Sequence, residues 1–196
     1  MGEPHGLEKG RRIFGIFVFG VGGGGMKPAL KTRFVFMANA VGVVAEGIAG
    51  RGEGQRGRYE TLSKIRIFEK FTDGLSGIGE YSNLIVVWHM HRERKVMLQV
   101  KPRGSRDMPE VGIFCTRFPP RPNHIATSVV ELVSVGGSFL TVRGLDAWPG
   151  SPVLDIKPYD YWDIVKNPKV PYWFNQFWNE RKSQGRYAEV VPWLGP

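Results

Sequence analysis

The amino-acid sequence predicts a mainly β fold, in which short, mostly antiparallel strands form a closed β-barrel or a sandwich, with an amphipathic helix near the C-terminus. Two observations lead to this class. Short apolar or alternating runs recur between turns rich in glycine and proline. A helical period does not occur in these runs and begins only at Pro171.

The predicted strands follow the apolar runs. Residues 63–68 alternate, with Ile65 and Ile67 on one face, as in a strand with one buried face. Residues 83–91 are so apolar that we expect a strand buried on both faces. Gly136 and Gly137 join two alternating runs and indicate a hairpin. The other predicted strands are residues 34–44, 96–101, 111–117, 128–135, 138–143 and 153–157.

The predicted helix has an aromatic face. Pro171 suits the first helical position, and Phe174, Phe177 and Trp178 recur at helical spacing before Gly185. We expect this face to dock on the barrel or on a second subunit. Stacking of its rings on RNA bases is the alternative interpretation.

The chain is predicted to consist of three segments. Residues 1–30 are glycine-rich and unpatterned, so we expect a disordered or wrongly translated extension, with Met26 as the true start. Residues 31–160 form the predicted barrel domain. Residues 161–196 form a C-terminal tail that contains the short aromatic-rich helix.

The charge balance favours a polyanionic partner. The chain has 27 Lys and Arg against 18 Asp and Glu, a net charge of +9, which suits nucleic acid but also an ordinary basic protein. Arg56 and Arg58 lie in a predicted mobile loop rich in glycine and arginine, and we expect them to contact RNA phosphates. Cys115 is the single cysteine, which fits a reducing compartment, and we expect it to be a small core residue of a cytoplasmic protein.

Two histidines lie two residues apart in the most apolar predicted strand. His89 and His91 would share one face of that strand, an arrangement that can bind a metal ion. A metal-binding barrel would need further ligands beside the two histidines. Glu93 is near them in sequence, and the other candidate, His124, is distant. We therefore predict no metal and treat the pair as structural or substrate-contacting. A metal-dependent β-barrel enzyme is kept as an alternative.

A proline-rich segment, residues 116–123, carries three strong hydrogen-bond donors. Its prolines stiffen the backbone and exclude an interior strand. Arg117, Arg121 and Asn123 are suited to binding phosphate, carboxylate or a base edge. The segment is either a binding loop or a turn with solvated arginines.

A second candidate loop covers residues 143–152. Gly144 and Gly150 would allow the backbone to approach a ligand closely, and Asp146 places a carboxylate on the same turn. In the strand that follows, Asp155 and Lys157 share one face, and we expect them to form an ion pair.

Several of these segments together resemble the TsaA-like family, which is typified by tRNA methyltransferase O. The resemblance covers about residues 35–160, and the order and spacing of its motifs match. The motifs are residues 74–78, residues 81–84, His91-Arg92, Thr116-Arg117, Arg121-Pro122-Asn123, residues 128–132, Arg143-Gly144-Leu145-Asp146 and residues 150–159.

The resemblance implies a closed β-barrel that acts as a homodimer and binds S-adenosyl-L-methionine. The family methylates N6 of N6-threonylcarbamoyladenosine in the anticodon loop of a threonine tRNA. The residues implied to surround the methyl donor are His91, Arg92, Arg117, Thr127, Gly144, Leu145 and Asp146. Asp146 and His91 are the candidate catalytic bases, and Arg121 and Asn123 would line the pocket or contact the tRNA.

The sequence also departs from the family pattern. His124 and Ala126 stand where the family has proline and glycine, and Pro149 replaces a loop aspartate. The family's Pro-Arg-Gln loop is not found. A homologue that binds S-adenosylmethionine or RNA without catalysis is therefore a further alternative.

Overall fold

The computed structural model describes residues 37–47, 61–102 and 108–183. The chain divides into two compact units, residues 1–40 and residues 41–196. Of the first unit, the four described residues form neither helix nor strand. The predictions for residues 1–30, for Met26 and for Arg56 and Arg58 all lie outside the described residues, and the three predicted segments stay a prediction.

The second unit contains a closed antiparallel barrel, as the sequence predicted. Six strands form it in the order β1-β2-β7-β6-β3-β8, and two short strands, β4 and β5, pair with each other outside it. The strands are β1 Gly42–Glu46, β2 Leu62–Ile67, β3 Asn83–His89, β4 Gln99–Val100, β5 Val111–Gly112, β6 Ile125–Gly136, β7 Phe139–Arg143 and β8 Pro152–Pro158.

The barrel interior is filled by alternate residues of each strand. In β2, Ile65 and Ile67 are buried, and the residues between them face outward, as a period of two requires. Trp88, whose ring lies in the core, donates its indole N–H to Ser128 Oγ at 3.1 Å. Its buried indole nitrogen is therefore paired, a condition for tolerating tryptophan there.

The predicted hairpin is confirmed. β6 and β7 pair antiparallel, with Gly136 opposite Phe139. Gly137 has φ of 57°, a conformation that glycine adopts without strain. The predicted ion pair is also confirmed, with Lys157 Nζ 2.7 Å from Asp155 Oδ2.

Several expectations about single elements are wrong. In the predicted strand 34–44, residues 37–41 form neither helix nor strand, and the strand β1 starts only at Gly42. β3 buries only Leu84, Val86 and Trp88, while its other residues are half-buried, so it is covered fully on one face and not on both. A 3-10 turn, Ile113–Cys115, interrupts the apolar run after β5. The turn points Ile113 inward and leaves Cys115 exposed, because a period near three cannot keep both on the core side.

The C-terminal helix α1 spans Tyr172–Ser183 and starts directly after Pro171. Its rings contact one another: Phe174 lies 6.3 Å from Trp178, nearly parallel to it, and 6.5 Å from Phe177 between ring centroids. No side chain described in α1 is buried. Docking on a second subunit stays a prediction. None of the helices in the described ranges has the length and apolar character to cross a membrane.

Candidate functional site

One end of the barrel gathers most of the motifs that the sequence singled out. β3 and β7 run toward this end, and β6 and β8 start from it, because neighbouring strands are antiparallel. His91 and Arg92 follow β3, His124 precedes β6, and residues 144–151 connect β7 to β8. Three segments that are far apart in sequence thus meet at one rim.

His91 is held at this rim by a buried hydroxyl. Its Nδ1 lies 3.1 Å from Ser151 Oγ, and Ser151 is 1% exposed. Gly150 has φ of 86°, and a Cβ at that position would lie 3.7 Å from His91 Nε2. The turn therefore approaches both ring nitrogens. A histidine oriented by one fixed partner presents its other nitrogen in a defined direction.

The turn that carries Ser151 is itself attached to β1. The amide of Gly150 donates to the carbonyl of Val44 at 2.8 Å, and the amide of Val44 donates to the carbonyl of Ser151 at 3.0 Å. These backbone bonds extend the pairing of β1 with β8 beyond the strand ends. The hydroxyl that contacts His91 is therefore placed by the barrel wall and not by a free loop.

Arg92 lies over an aromatic ring of the same turn. Its guanidinium carbon is 4.2 Å from the centroid of the Trp148 ring, a cation–π geometry. Arg92 is otherwise exposed, and Trp148 is half-buried. The contact joins the end of β3 to the β7–β8 connection a second time, next to the bond between His91 and Ser151.

The segment after β7 alternates between the core and the rim. Gly144 has φ of 94°, which turns the chain, and Leu145 and Ala147 are then fully buried in the barrel core. Asp146, between them, is half-buried and faces the other way. Leu145 is 0% exposed, backbone included, and Gly144 is also buried. Asp146 is therefore the residue of these three that remains accessible to a ligand at the rim.

Close packing fills this end of the barrel between β1 and β2. A Cβ at Gly47 would lie 3.1 Å from the carbonyl oxygen of Ala147 and 3.2 Å from Ser63 Oγ. Ser63 is fully buried, and its hydroxyl has no hydrogen-bond partner in the described part of the chain. A side chain at position 47 would therefore be crowded, and a polar group is buried beneath the rim.

The proline-rich loop is organised by Arg121. Its Nη1 donates to the carbonyl of Thr116 at 2.6 Å and lies 3.4 Å from the carbonyl of Ile113. Thr116 Oγ1 donates to Ile113 at 2.9 Å and accepts from the amide of Phe118 at 3.2 Å. The Arg121 guanidinium is therefore engaged with its own loop, whereas Arg117 is exposed. The loop presents Arg117, and Arg121 maintains its shape.

His124 explains one departure from the family pattern. It has φ of 49°, which proline cannot adopt because its ring fixes φ near about −65°. The buried imidazole places Nε2 2.8 Å from the carbonyl oxygen of Lys95, across the base of the excursion between β3 and β6. At this position the chain therefore has a side-chain contact with Lys95 in place of the rigid backbone that a proline would provide. Asn123, directly before it, is exposed.

Thr127 and Arg117 take no part in the hydrogen bond and the cation–π contact that hold His91 and Arg92 at the rim. Thr127 is exposed on β6, opposite Val87 of β3. In the described ranges, no side-chain hydrogen bond, ion pair or ring contact joins Thr127 or Arg117 to the rim residues. The structure thus connects His91 and Arg92 to the β7–β8 turn and leaves these two residues apart from it.

His89 lies beside the rim in a desolvated position. Its Nδ1 is buried without a partner among the described residues, and its ring centroid is 6.4 Å from that of His124. Burial lowers the pKa of His89 below its ordinary value, and the neighbouring His124, His91 and Arg94 lower this pKa further. His89 is therefore neutral near pH 7.

The expectation that His89 and His91 share one strand face is wrong. β3 ends at His89, and His91 lies in the following turn, where its side chain reaches Ser151. Within residues 37–47, 61–102 and 108–183, no group of three or more His, Cys, Asp or Glu is placed to hold a metal ion. The described residues offer no ligand set for the metal-dependent alternative.

Sequence reasoning missed the two partners of His91 and Arg92. Ser151 lies in the motif of residues 150–159, and that motif was the available signal for Ser151. No sequence signal pairs Trp148 with Arg92, since 55 residues separate them.

The chain matches the family model described as the tRNA-methyltransferase O N-terminal domain over residues 53–163. This range includes the rim segments after β3 and β7, the proline-rich loop and seven of the eight strands. It ends shortly after β8, so helix α1 lies outside it.

Individual proteins are similar as well. A probable S-adenosyl-L-methionine-binding protein of Methanothermobacter thermautotrophicus is 42% identical over 126 residues, 63% of this chain and 89% of that protein. Another of the same description, from Archaeoglobus fulgidus, is 46% identical over 125 residues, 62% of this chain and 33% of that longer protein. The crystal structure of TrmO from Pseudomonas aeruginosa has a TM-score of 0.61 at 20% identity, covering 83% of this chain and 80% of that one. This structure supports the barrel fold.

Proposed function

Because this chain belongs to the family of the tRNA-methyltransferase O N-terminal domain, we propose that it uses S-adenosylmethionine to methylate N6 of N6-threonylcarbamoyladenosine in the anticodon loop of tRNA. The general activity, methyl transfer from S-adenosylmethionine, rests on the family and on relatives named S-adenosyl-L-methionine-binding proteins. The modified base and a threonine tRNA as substrate are the finer parts of the proposal.

One observation supports this assignment more than any other. Family motifs that are separate in sequence meet at the rim, where His91 contacts Ser151 and Arg92 lies over Trp148. A site assembled from several loops on a rigid barrel end is the usual arrangement for ligand binding. We propose that the donor is held here by His91, Arg92 and Asp146, and that the buried Gly144 and Leu145 shape the turn that presents Asp146 to it.

The two remaining donor-binding candidates lie on neighbouring elements. Arg117 is presented by the proline-rich loop, and Thr127 lies on the outer wall of β6. We propose that both complete the pocket when donor and RNA are bound. A homodimer, in which a second copy covers the outer wall near Thr127, is part of the same proposal, as is a cytoplasmic location.

The chemistry requires alignment and the loss of a proton. S-adenosylmethionine supplies a methyl group on a sulfonium, which a nitrogen attacks in line. N6 of the threonylcarbamoylated base is ureido-like and poorly nucleophilic, so a base must take its proton. Asp146 and His91 are the two candidates, since both are half-buried at the rim. If His91 is the base, its contact with Ser151 fixes the direction in which Nε2 accepts the proton.

RNA binding is supported by charge. The net charge of +9 and the exposed Arg117 suit phosphate contacts. We propose that Arg56 and Arg58 also bind phosphates and that the exposed Asn123 contacts the RNA. Arg121 is bonded to its own loop, so we assign it to supporting Arg117 and not to direct contact with the RNA.

A non-catalytic homologue is the alternative, and one observation favours it. The backbone at His124, directly before β6, has φ of 49°, which the family's proline could not adopt. The experiment that separates the two is nucleoside mass spectrometry of tRNA from a strain that lacks the gene. Loss of the methylated nucleoside supports the enzyme, and an unchanged nucleoside profile supports the non-catalytic homologue.

A further inference from the structure

The segment after β8 presents the two most exposed aromatic side chains of the described residues. Tyr161 is 91% exposed and Trp162 is 94% exposed. Large rings usually bury most of their surface in a monomeric protein, so two adjacent rings in solvent indicate a binding surface. The surface formed by Tyr161 and Trp162 is called the aromatic turn below.

The aromatic turn is built by specific bonds. Asp160 Oδ1 accepts from the amide of Trp162 at 2.8 Å, and Asp163 Oδ2 accepts from the amide of Asp160 at 3.1 Å. This reciprocal capping box closes a 3-10 turn, Tyr161–Asp163. The amide of Tyr159 donates to the carbonyl of Asn83 at 3.1 Å, which attaches the turn to the barrel. The rings are therefore presented by fixed backbone.

The segment that follows the aromatic turn is positively charged, whereas the two carboxylates of the turn, Asp160 and Asp163, accept from its backbone amides. Residues 164–179 contain no Asp or Glu, and they carry two exposed lysines, Lys166 and Lys169. Aromatic rings beside positive charge are the combination that binds single-stranded nucleic acid, since every base can stack on a ring and every phosphate is anionic. Tyr172, at the start of α1, is also exposed and adds a further aromatic ring to this segment.

We propose that Tyr161 and Trp162 stack on unpaired bases of the RNA substrate while Lys166 and Lys169 contact the neighbouring phosphates. This inference rests on the proposed action on tRNA. Bases inside a duplex are already stacked on each other, so the ligand is a loop or an unpaired end.

The aromatic turn is separate from the candidate methyl-transfer site. β8 begins at the rim and ends next to the turn, and its seven residues span about 20 Å at the usual strand rise. The aromatic turn therefore binds nucleotides other than the one that is methylated. It acts as a second anchor for the RNA, and substitutions there leave S-adenosylmethionine affinity unchanged.

The test measures the affinity of the full chain for RNA by fluorescence anisotropy, with an unstructured oligoribonucleotide of about a dozen nucleotides as the probe. Trp162→Ala and Tyr161→Ala should each weaken binding roughly fivefold or more, the effect of losing one base–ring stack. Trp162→Phe keeps a ring and should retain most of the affinity. Val165→Ala, at a 72% exposed aliphatic position in the same segment, is the matched control.

A salt titration tests the lysines independently. Lys166→Gln and Lys169→Gln should each lower the slope of log affinity against log salt by about 0.7, the value for one phosphate contact on a single strand. Affinities of Trp162→Ala and Tyr161→Ala equal to the wild type would overturn the proposal. So would a loss of dimer mass by light scattering in Trp162→Ala with unchanged RNA affinity, because the surface would then serve self-association.

The outcome is distinguishable from a failure of the proposed enzymatic function. Oligoribonucleotide binding is measured without methyl transfer, so a protein that transfers no methyl group can still show the loss in Trp162→Ala. In that case the proposal for the aromatic turn is supported and the methyltransferase proposal fails. A protein that methylates tRNA but binds the probe with wild-type affinity in both Trp162→Ala and Tyr161→Ala would reject the proposal for the aromatic turn alone.

Discussion

Ser151 Oγ lies 3.1 Å from His91 Nδ1, so a buried hydroxyl on the β7–β8 turn fixes the imidazole that follows β3. Backbone bonds between Val44 and residues 150–151 place that hydroxyl on the barrel wall. The geometry at the rim therefore depends on a chain of contacts from β1 through Ser151 to His91.

Ser151→Ala should impair function more than stability. It removes the partner of His91 Nδ1, which costs about 1 to 3 kcal/mol when the group left behind is buried, and less here because His91 is half-buried. We expect methyl transfer to fall about tenfold or more, with a small drop in melting temperature. Ser151→Thr keeps the hydroxyl and is the matched control. Equal activity of Ser151→Ala and wild type would show that the contact has no functional role.

The contact between Arg92 and Trp148 should be measurable as a coupling. Arg92→Ala and Trp148→Leu each remove one side of a cation–π pair worth about 0.5 to 1 kcal/mol at an exposed site. A double-mutant cycle on S-adenosylmethionine affinity, read by calorimetry, should give a coupling of that size. Strictly additive effects of the two substitutions would mean that the contact does not support the site.

Arg117 and Arg121 should respond differently to the same substitution. Arg121→Ala breaks a charge-assisted bond to Thr116 at 2.6 Å, so we expect a loss of about 1.5 to 3 kcal/mol in unfolding free energy. Arg117→Ala removes an exposed side chain and should leave stability within about 0.5 kcal/mol of the wild type. Chemical denaturation measures both values. Methyl-donor and RNA affinities should fall in Arg117→Ala at unchanged stability. The reverse order of stabilities would contradict the roles assigned to the two residues.

His89 should make stability depend on pH. Its pKa is lowered in the folded protein, so below the ordinary histidine value of about 6.5 the unfolded chain binds more protons. Stability should therefore fall as pH drops through about 6.5, with no contribution from His89 above it. His89→Phe keeps a ring and removes the titration, and it should flatten this part of the curve. Melting temperatures measured between about pH 5.5 and 7.5 test this, and an unchanged slope would contradict it.

The barrel was predictable because its strands follow simple periodicity. β2 and β7 alternate cleanly, and the glycine pair at 136–137 marks the β6–β7 hairpin. The path of the segment between β3 and β6 was not predictable, because it depends on turns that the periodicity of the sequence does not indicate. The 3-10 turn that exposes Cys115 and the positive φ of His124 depend on contacts with residues far away in sequence.

The site was predictable in its loops but not in its contacts. The resemblance identified His91, Arg92 and residues 144–146, which flank the rim. It did not show that Leu145 is a core residue or that Arg121 is bonded to its own loop, because both depend on which way a side chain turns. The exposure of Trp162 could not be predicted either, since an aromatic residue is more often buried than exposed.

The central claim is tested most directly by incubating the purified chain with isotopically labelled S-adenosylmethionine and tRNA that carries N6-threonylcarbamoyladenosine. Nucleosides are then analysed by mass spectrometry, with Asp146→Asn and His91→Asn as variants that keep size and lose the candidate base. We predict that the label appears on N6-threonylcarbamoyladenosine with the wild type and is reduced about a hundredfold or more in whichever variant lacks the base. No label on the tRNA with the wild type, at donor concentrations that calorimetry shows to be saturating, would contradict the account.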